Sequence, residues 1–319
     1  MTKSTKQTVP RSPMAVSSKT ISILDIVDER FSEILGIPKD KVRFGAEPRY
    51  KSIASAKFLS SNRGLEQSEQ HDIVAEAYEL IQSDLSSRKL TPSKKLWVPR
   101  VRFDWSTDHE TAEVPLERSV AGLFRLYRLL LTENPQADPV WFNQIPVSSG
   151  IIQHGKGSRA IDLVCRRSRG QYDFVELKFP KGAPTETPLF AALEVLKYGL
   201  IYLYVLCHPG VLKVPGWPDK SDMPKNARAE ELLEATDVTL CVLAPKRFYS
   251  RFDFGWLDEQ LNNDFARFLS ERKPGRLRTL SFRFDQLENE PFEITHGNGF
   301  RFDFSRKPIP RDGWSSLVQ

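Results

Sequence analysis

Three ionisable side chains interrupt two short apolar runs: Asp162 in "AIDLVCRR" and Glu176 and Lys178 in "QYDFVELKFP". Ser168, Arg169 and Gly170 supply a turn between the runs, so they read as the two strands of a hairpin. Alternate residues of a strand share a face, which puts Glu176 beside Lys178 and turns Val175 and Leu177 to the other side. Asp162 stands fourteen residues before Glu176, and antiparallel pairing can bring its carboxylate to the same surface, although sequence does not set the register. Two carboxylates that close need a cation between them. Mg²⁺, with Mn²⁺ as a substitute, suits the need: it takes oxygen ligands and keeps several waters. Asp162, Glu176 and the backbone carbonyl of Leu177 would leave room for a phosphate oxygen and a water. Such an ion lowers the pKa of its water, while Lys178 orients the attacking hydroxide or balances charge on the phosphate. The chemistry expected of this trio is hydrolysis of a phosphodiester bond.

The surrounding chain supplies elements to hold them. "PLERSVAGLFRLYRLLLT", from Pro115, carries a wide apolar stripe at helical spacing. "VWFNQIPV" reads as a strand, and the hairpin follows. "TPLFAALEVLKYGLIYLYVL" opens with Thr187 and Pro188, as a helix N-terminus should, and is apolar nearly all round. "DVTLCVLAP" is a short apolar strand, and "FGWLDEQLNNDFARFLSER" an amphipathic helix closed by Pro274. "RTLSFRF" and "GFRFDF" add extended segments, the first at the sheet edge. The core order is therefore helix, three strands, helix, strand, helix. Glu271 and Lys273 repeat the Glu-x-Lys spacing, but at a polar helix end with no neighbouring strand that carries an acid. Context, not spacing, singles out Glu176 and Lys178.

Asp162 followed by Glu176-Leu177-Lys178, set between flanking helices, resembles the PD-(D/E)XK nuclease superfamily, the restriction-endonuclease-like fold. The resemblance covers about residues 115 to 270 and implies an α/β core, a mixed sheet flanked by helices, that cuts DNA or RNA with Mg²⁺. It implies that Asp162 and Glu176 are metal ligands and Lys178 the catalytic lysine. Members often carry an acid on the helix before the first core strand, where this chain has Glu117, with Glu113 nearby. Ile161 rather than Pro precedes Asp162. Where RecB-like members have Gln-x-x-x-Tyr on the following helix, this chain has Glu194-Val-Leu-Lys-Tyr198.

Composition bounds the rest. At 319 residues, 40% hydrophobic and 27% charged, the chain can bury a large core. Its net charge of +5 is concentrated at the start, where Lys3, Lys6, Arg11 and Lys19 stand without an acid. Residues 1–20 read as a disordered basic tail, 21–111 as a mainly helical N-terminal accessory region, and 112–319 as the nuclease-like domain with a C-terminal extension. The accessory region could select the target, a partner protein or a second copy of the chain. Cys165, Cys207 and Cys241 are scattered within apolar runs, which suits buried thiols in a cytoplasmic protein and gives no zinc-ligand spacing. The longest continuous apolar stretch, 198–207, is too short for a membrane span. No Gly-x-x-x-x-Gly-Lys-Ser/Thr loop occurs.

Around the hairpin, Lys156, Arg159, Arg166, Arg167, Arg169 and Lys181 form a local basic surplus suited to a nucleic-acid backbone, DNA more than RNA, with Tyr198 as a further contact. Plainer readings stand beside these. Asp162 and Lys178 could be a cross-strand ion pair, Glu117 a helix-start acid, Tyr198 core packing, and the arginines a solvated turn. The rival function is a catalytically silent nucleic-acid-binding or assembly module on the same fold.

Overall fold

The structure is a computed structural model that describes residue 38 and residues 72–87, 113–114, 116–118, 140–147, 160–179, 186–209, 232–250, 252, 255–287, 293–296, 300–303 and 314–316. The basic tail and the helix expected over residues 23–35 lie outside the described residues. In chain order the elements are α1 (Ile73–Ser87), β1 (Val140–Pro146), β2 (Ala160–Ser168), β3 (Gln171–Leu177), α2 (Pro188–Cys207), β4 (Asp237–Pro245), α3 (Lys246–Tyr249), α4 (Gly255–Arg272), β5 (Thr279–Leu287), β6 (Glu293–His296), β7 (Phe300–Asp303) and β8 (Trp314–Ser316). Residues 113–114 and 116–118 are also helical, at the start of the helix expected from Pro115.

Six strands form one mixed sheet in the order β1-β2-β3-β4-β5-β8. β1, β2 and β3 pair antiparallel, β3, β4 and β5 pair parallel, and β8 closes antiparallel on the last three residues of β5. Parallel neighbours need a crossover, which α2 supplies between β3 and β4 and α3 with α4 between β4 and β5. This is an α/β architecture. "RTLSFRF" runs into β5 and, among the described residues, its strand portion is at the sheet edge, since β8 pairs only with Asp285, Gln286 and Leu287 beyond it, and "GFRFDF" contributes β7 to a separate two-stranded ribbon with β6.

One face of the sheet carries the core. Phe174, Leu240 and Phe282 are successive cross-strand partners, and all three are buried in one cluster with side chains of α1, α2 and α4. Tyr202 of α2 meets Phe174 edge to face at 5.2 Å between ring centroids, a favoured aromatic geometry. Because α2 is buried on nearly every side, its apolar residues run all round the helix instead of along one stripe. Its 20 residues are apolar enough to cross a membrane by length and composition, yet 89% of the most apolar window is buried within the protein.

The beginning of α2 follows directly from sequence. Thr187 is extended and its Oγ1 accepts a hydrogen bond from Phe190 N at 3.1 Å, while Pro188 takes the first helical position. Asn262 of α4 guards the outer edge of β5. Its Oδ1 accepts from Phe282 N at 2.7 Å and its Nδ2 donates to Phe282 O at 3.0 Å, which satisfies edge groups before β8 begins.

α1 belongs to this core. Asp72 Oδ1 caps it by accepting from Ala75 N at 2.7 Å, Asp264 of α4 accepts from Ile73 N at 2.9 Å, and Tyr78 packs against Phe268. The sequence assigns α1 to the accessory region before residue 112; the described residues instead place it in the common hydrophobic cluster. The reason is the apolar face Ile73, Val74, Ala77, Tyr78 and Ile81, which α2 and α4 bury. All three cysteines are free, Cys165 and Cys241 buried and Cys207 half-buried.

Gly199 lets α2 approach β4: a Cβ there would meet Leu240 Cδ1 at 2.4 Å. Gly199→Ala gains helix propensity of up to about 1 kcal/mol but overpacks a fully buried leucine, a cost of about 1 to 3 kcal/mol. We expect a net loss of about 1 kcal/mol in urea unfolding, which a Leu240→Ala background should reduce.

Candidate active site

The register left open by sequence is set by the pairing of Leu163 with Val175. One step along it stands Asp162 opposite Glu176. The approach is close: Leu177 N donates to Asp162 Oδ2 at 3.0 Å. Glu176 is itself opposite Val242 of β4, so the acids gather near the C-terminal ends of the parallel strands. Lys178 comes just after β3, where its N–H donates to Leu243 O at 2.9 Å. That bond carries the alternation on for one more residue and keeps the lysine on the side of Glu176.

The Lys178 ammonium is held on three sides. Nζ lies 2.9 Å from Glu176 Oε1, 3.2 Å from Glu186 Oε2 and 2.7 Å from Glu194 Oε2. Glu186 immediately precedes the Thr187 cap and Glu194 is two turns into α2, so the helix start positions both. Glu113 reaches in from the helical residues 113–114, its Oε1 accepting from Phe179 N at 3.1 Å. Glu117, from the helical residues 116–118, is buried and accepts from Asn143 Nδ2 at 2.8 Å and Gln144 Nε2 at 2.7 Å. Gln144 makes its bond from a left-handed backbone, φ 53°, at the β1 position facing Asp162 between the pairs Asn143–Leu163 and Ile145–Ile161. A non-glycine residue held there costs on the order of 1 kcal/mol.

Charge in the cluster is badly out of balance, with Glu113, Asp162, Glu176, Glu186 and Glu194 facing one ammonium. Burial pushes the Asp162 carboxyl up to about 7, against the pull of Lys178 and the Leu177 N–H. Burial and then the charge of Asp162 drive Glu176 well above its ordinary range. Burial raises Glu117 to about 8, and Asp162 adds to it. Glu113 is raised chiefly by burial. For Lys178, burial alone would lower the pKa, but Glu176, Glu194, Glu186 and Glu113 more than offset it and hold the ammonium charged. These opposed shifts are what crowded carboxylates around one buried cation must produce.

Glu176 Oε2 is buried and accepts no hydrogen bond from the described residues. A buried carboxylate oxygen without a donor is costly, and a divalent cation shared with Asp162 would satisfy it. The donor set therefore fits a hard ion on two carboxylates, with the Leu177 carbonyl next in line. Among the described residues, no group of three or more His, Cys, Asp or Glu forms a ready-made metal cage, so waters or a substrate oxygen would complete the shell, as Mg²⁺ prefers.

Two of the basic residues, Arg167 and Arg169, are elsewhere. The turn with Arg169 closes the hairpin at the end opposite the acids, seven residues from Glu176, about 23 Å at strand rise. Arg166 pairs in the strand with Tyr172. Arg167 is engaged on the second face of the sheet, 3.0 Å from Asp173, in a network with Arg283, Asp285 and Cys241. Arg167 and Arg169 therefore do not line the mouth of the acidic cluster, the first because it is on the other face of the sheet and the second because a hairpin separates its turn from its ends. Tyr198 is 7% exposed and sits in the core cluster, a packing position with little surface for a nucleotide. Lys156, Arg159 and Lys181 lie outside the described residues.

Glu186 and Glu194 have no place among the site residues expected from sequence. Glu194 was visible as the acid in the Glu-x-x-x-Tyr of α2, where a neutral Gln would not have paired with Lys178. No protein-family model, no curated protein and no solved structure matches this chain.

Proposed function

We propose that this protein is a Mg²⁺-dependent nuclease, acting on DNA and built on a restriction-endonuclease-like core. The observation that carries the proposal is the Glu176 carboxylate, which feels the charge of Asp162: one oxygen is bonded to Lys178 and the other is buried with no hydrogen-bond partner among the described residues. Asp162 and Glu176 would hold the ion, and when bound it would polarise a phosphate oxygen and acidify a water. Lys178 sets an ammonium next to that position, where it offsets charge that grows on the phosphate. Glu194 and Glu186 keep that ammonium in place and charged. Asp162 in turn is oriented by the Leu177 N–H, so the two proposed ligands and the lysine are fixed to one strand end.

A second reading is favoured by the Lys178 clamp itself. An ammonium tied to three carboxylates serves equally well as a structural plug in a silent nucleic-acid-binding module. Incubating purified protein with plasmid DNA and with RNA, in Mg²⁺ or in EDTA, separates the two. DNA cleavage in Mg²⁺ that disappears in EDTA and in Asp162→Ala is expected. DNA binding with no cleavage under any condition would instead establish the silent module, and cleavage of RNA alone would change the substrate class.

A further inference from the structure

Three chain segments are sewn together at the end of the sheet remote from the acids. Gly170 O, in the β2–β3 turn, accepts from Thr236 N at 2.8 Å and Asp237 N at 3.0 Å, and Thr236 O accepts from Arg278 N at 2.7 Å and Thr279 N at 3.1 Å. Gly170 adopts φ 82°, and a Cβ there would press on Thr236 Oγ1 at 3.1 Å, so only glycine fits the junction without strain. The lacing sets the turn after β2 beside the turn before β5. Both turns present cations: Arg169 on the first, and Lys273, Arg276 and Arg278 on the second, all exposed. Arg276 is shared loosely with Glu234 at 3.6 Å, and neighbouring Arg272 with Glu79 at 3.4 Å. Arg169, Lys273 and Arg278 have no ion pair among the described residues, of which exposed Glu271 and half-buried Asp237, whose carboxylate accepts from Thr236 Oγ1, are the further acids of these segments.

We infer that this laced end of the sheet, through Arg169, Lys273 and Arg278, is a second contact for the phosphate backbone of double-stranded DNA, about 23 Å along the hairpin from Glu176. The inference rests on the nuclease reading for its choice of partner. Long cations on a hydrogen-bonded backbone frame are the means by which proteins hold phosphates without reading sequence. At 3.4 Å of helix axis per base pair, that separation corresponds to about seven base pairs. A duplex engaged at the acids and running along the hairpin would thus reach the second contact within one helical turn. The contact also suits the charge distribution: the acidic cluster repels phosphates unless an ion is present, and a separate basic platform supplies the attraction it lacks.

The test is a salt titration of binding to a 30-base-pair duplex in EDTA, with Asp162→Asn as the parent so that nothing is cut. Removing three phosphate contacts should lower the slope of log K against log salt by about 2 to 3. The variant combines Arg169→Ser, Lys273→Asn and Arg278→Ser; Asn tolerates the left-handed backbone at Lys273, φ 47°. A thermal melt equal to the parent's establishes that it folds, and Arg278→Gln alone, with an expected slope change of about 1, stands in if it does not. An unchanged slope overturns the inference, as does equal displacement of the duplex from parent and variant by poly-glutamate matched in charge. If the slope falls but wild-type protein cuts no DNA, the contact stands and the hydrolytic reading fails. If wild-type protein cuts DNA and the slope is unchanged, the reverse holds.

Discussion

Lys178→Met should destroy cleavage and weaken the fold at once. On the proposed function, removing a charge positioned at the reacting phosphate costs about a hundredfold to a thousandfold in turnover, as loss of one well-placed donor does elsewhere. The stability effect does not depend on that proposal. Methionine fills most of the lysine's volume but leaves Glu176, Glu186 and Glu194 without the ammonium that now stands within 3.2 Å of each. Breaking a buried ion pair from one side costs about 3 to 5 kcal/mol. Glu186 is the most exposed of the three, with a quarter of its side chain accessible, so its share is screened and the lower end is expected. The direction with pH follows from the same charges. In the wild type, Lys178 has a pKa raised above 10.5 by its carboxylates, so its contribution is complete below the unfolded value and is lost only as pH rises past the folded one. The variant lacks that contribution, and Glu176, Asp162 and Glu113, whose carboxyls burial already raises against the pull of Lys178, are raised further. Lowering the pH protonates them and should recover much of the loss. Urea unfolding of both proteins at pH 5 and pH 8 measures this; a gap between the curves that stays constant across that range would show that the lysine stabilises by packing alone.

How much of this was legible beforehand depends on the range of the interaction. Local cues were sufficient for α2, where Thr187, Pro188 and a fully apolar run specify a buried helix, and for β4, an uninterrupted apolar strand of the kind a central parallel position requires. The partnership of Asp162 with Glu176 was only half legible: strand alternation allowed it, but the register depends on an irregularity between Arg166 and Ser168, past which Leu163 pairs with Val175. The two glutamates that clamp Lys178 were not legible in the same way. Their contact with Lys178 depends on how α2 and its start are seated against the sheet, a long-range packing event that includes the close approach of Gly199 to Leu240. The left-handed Gln144 was hidden for the same reason, since nothing in "VWFNQIPV" demands it; the buried carboxylate of Glu117 does. The arginines of the hairpin turn show the opposite relation between sequence and space. They are near Asp162 and Glu176 in sequence and far from them in space, because a strand carries the chain about 3.3 Å per residue in one direction. Charge counted along a window says little about charge across a surface.

Glu117→Gln should make the protein more stable above neutral pH. The carboxyl is 3% exposed and bonded to two amides, and burial holds its pKa at about 8 against an ordinary 4.5. A folded-state pKa above the unfolded one gives a contribution that is complete below pH 4.5 and is lost as pH rises through about 8. At pH 7 the loss accumulated over this interval is on the order of 3 kcal/mol. Glutamine carries no charge at any pH, so the variant has no such slope. It also keeps the contacts: its carbonyl oxygen accepts from Asn143, and Gln144 can rotate its own amide by half a turn to accept from the new NH₂. Wild type and variant should therefore be alike near pH 4 and diverge steadily toward pH 8, with the variant more resistant to urea. Equal midpoints at pH 8 would mean that the Asn143 and Gln144 amides already stabilise the ionised form enough to cancel its burial. A wild type that carries this cost at neutral pH, next to an aspartate that is itself raised by burial, is what a chain would keep if the uncompensated charge were needed to draw in a cation. Added Mg²⁺ gives the decisive comparison: if Glu117 contributes to ion binding through its charge, millimolar Mg²⁺ should raise the melting temperature of the wild type more than that of Glu117→Gln. Equal shifts would confine Glu117 to holding Asn143 and Gln144 in place and leave the ion to Asp162 and Glu176.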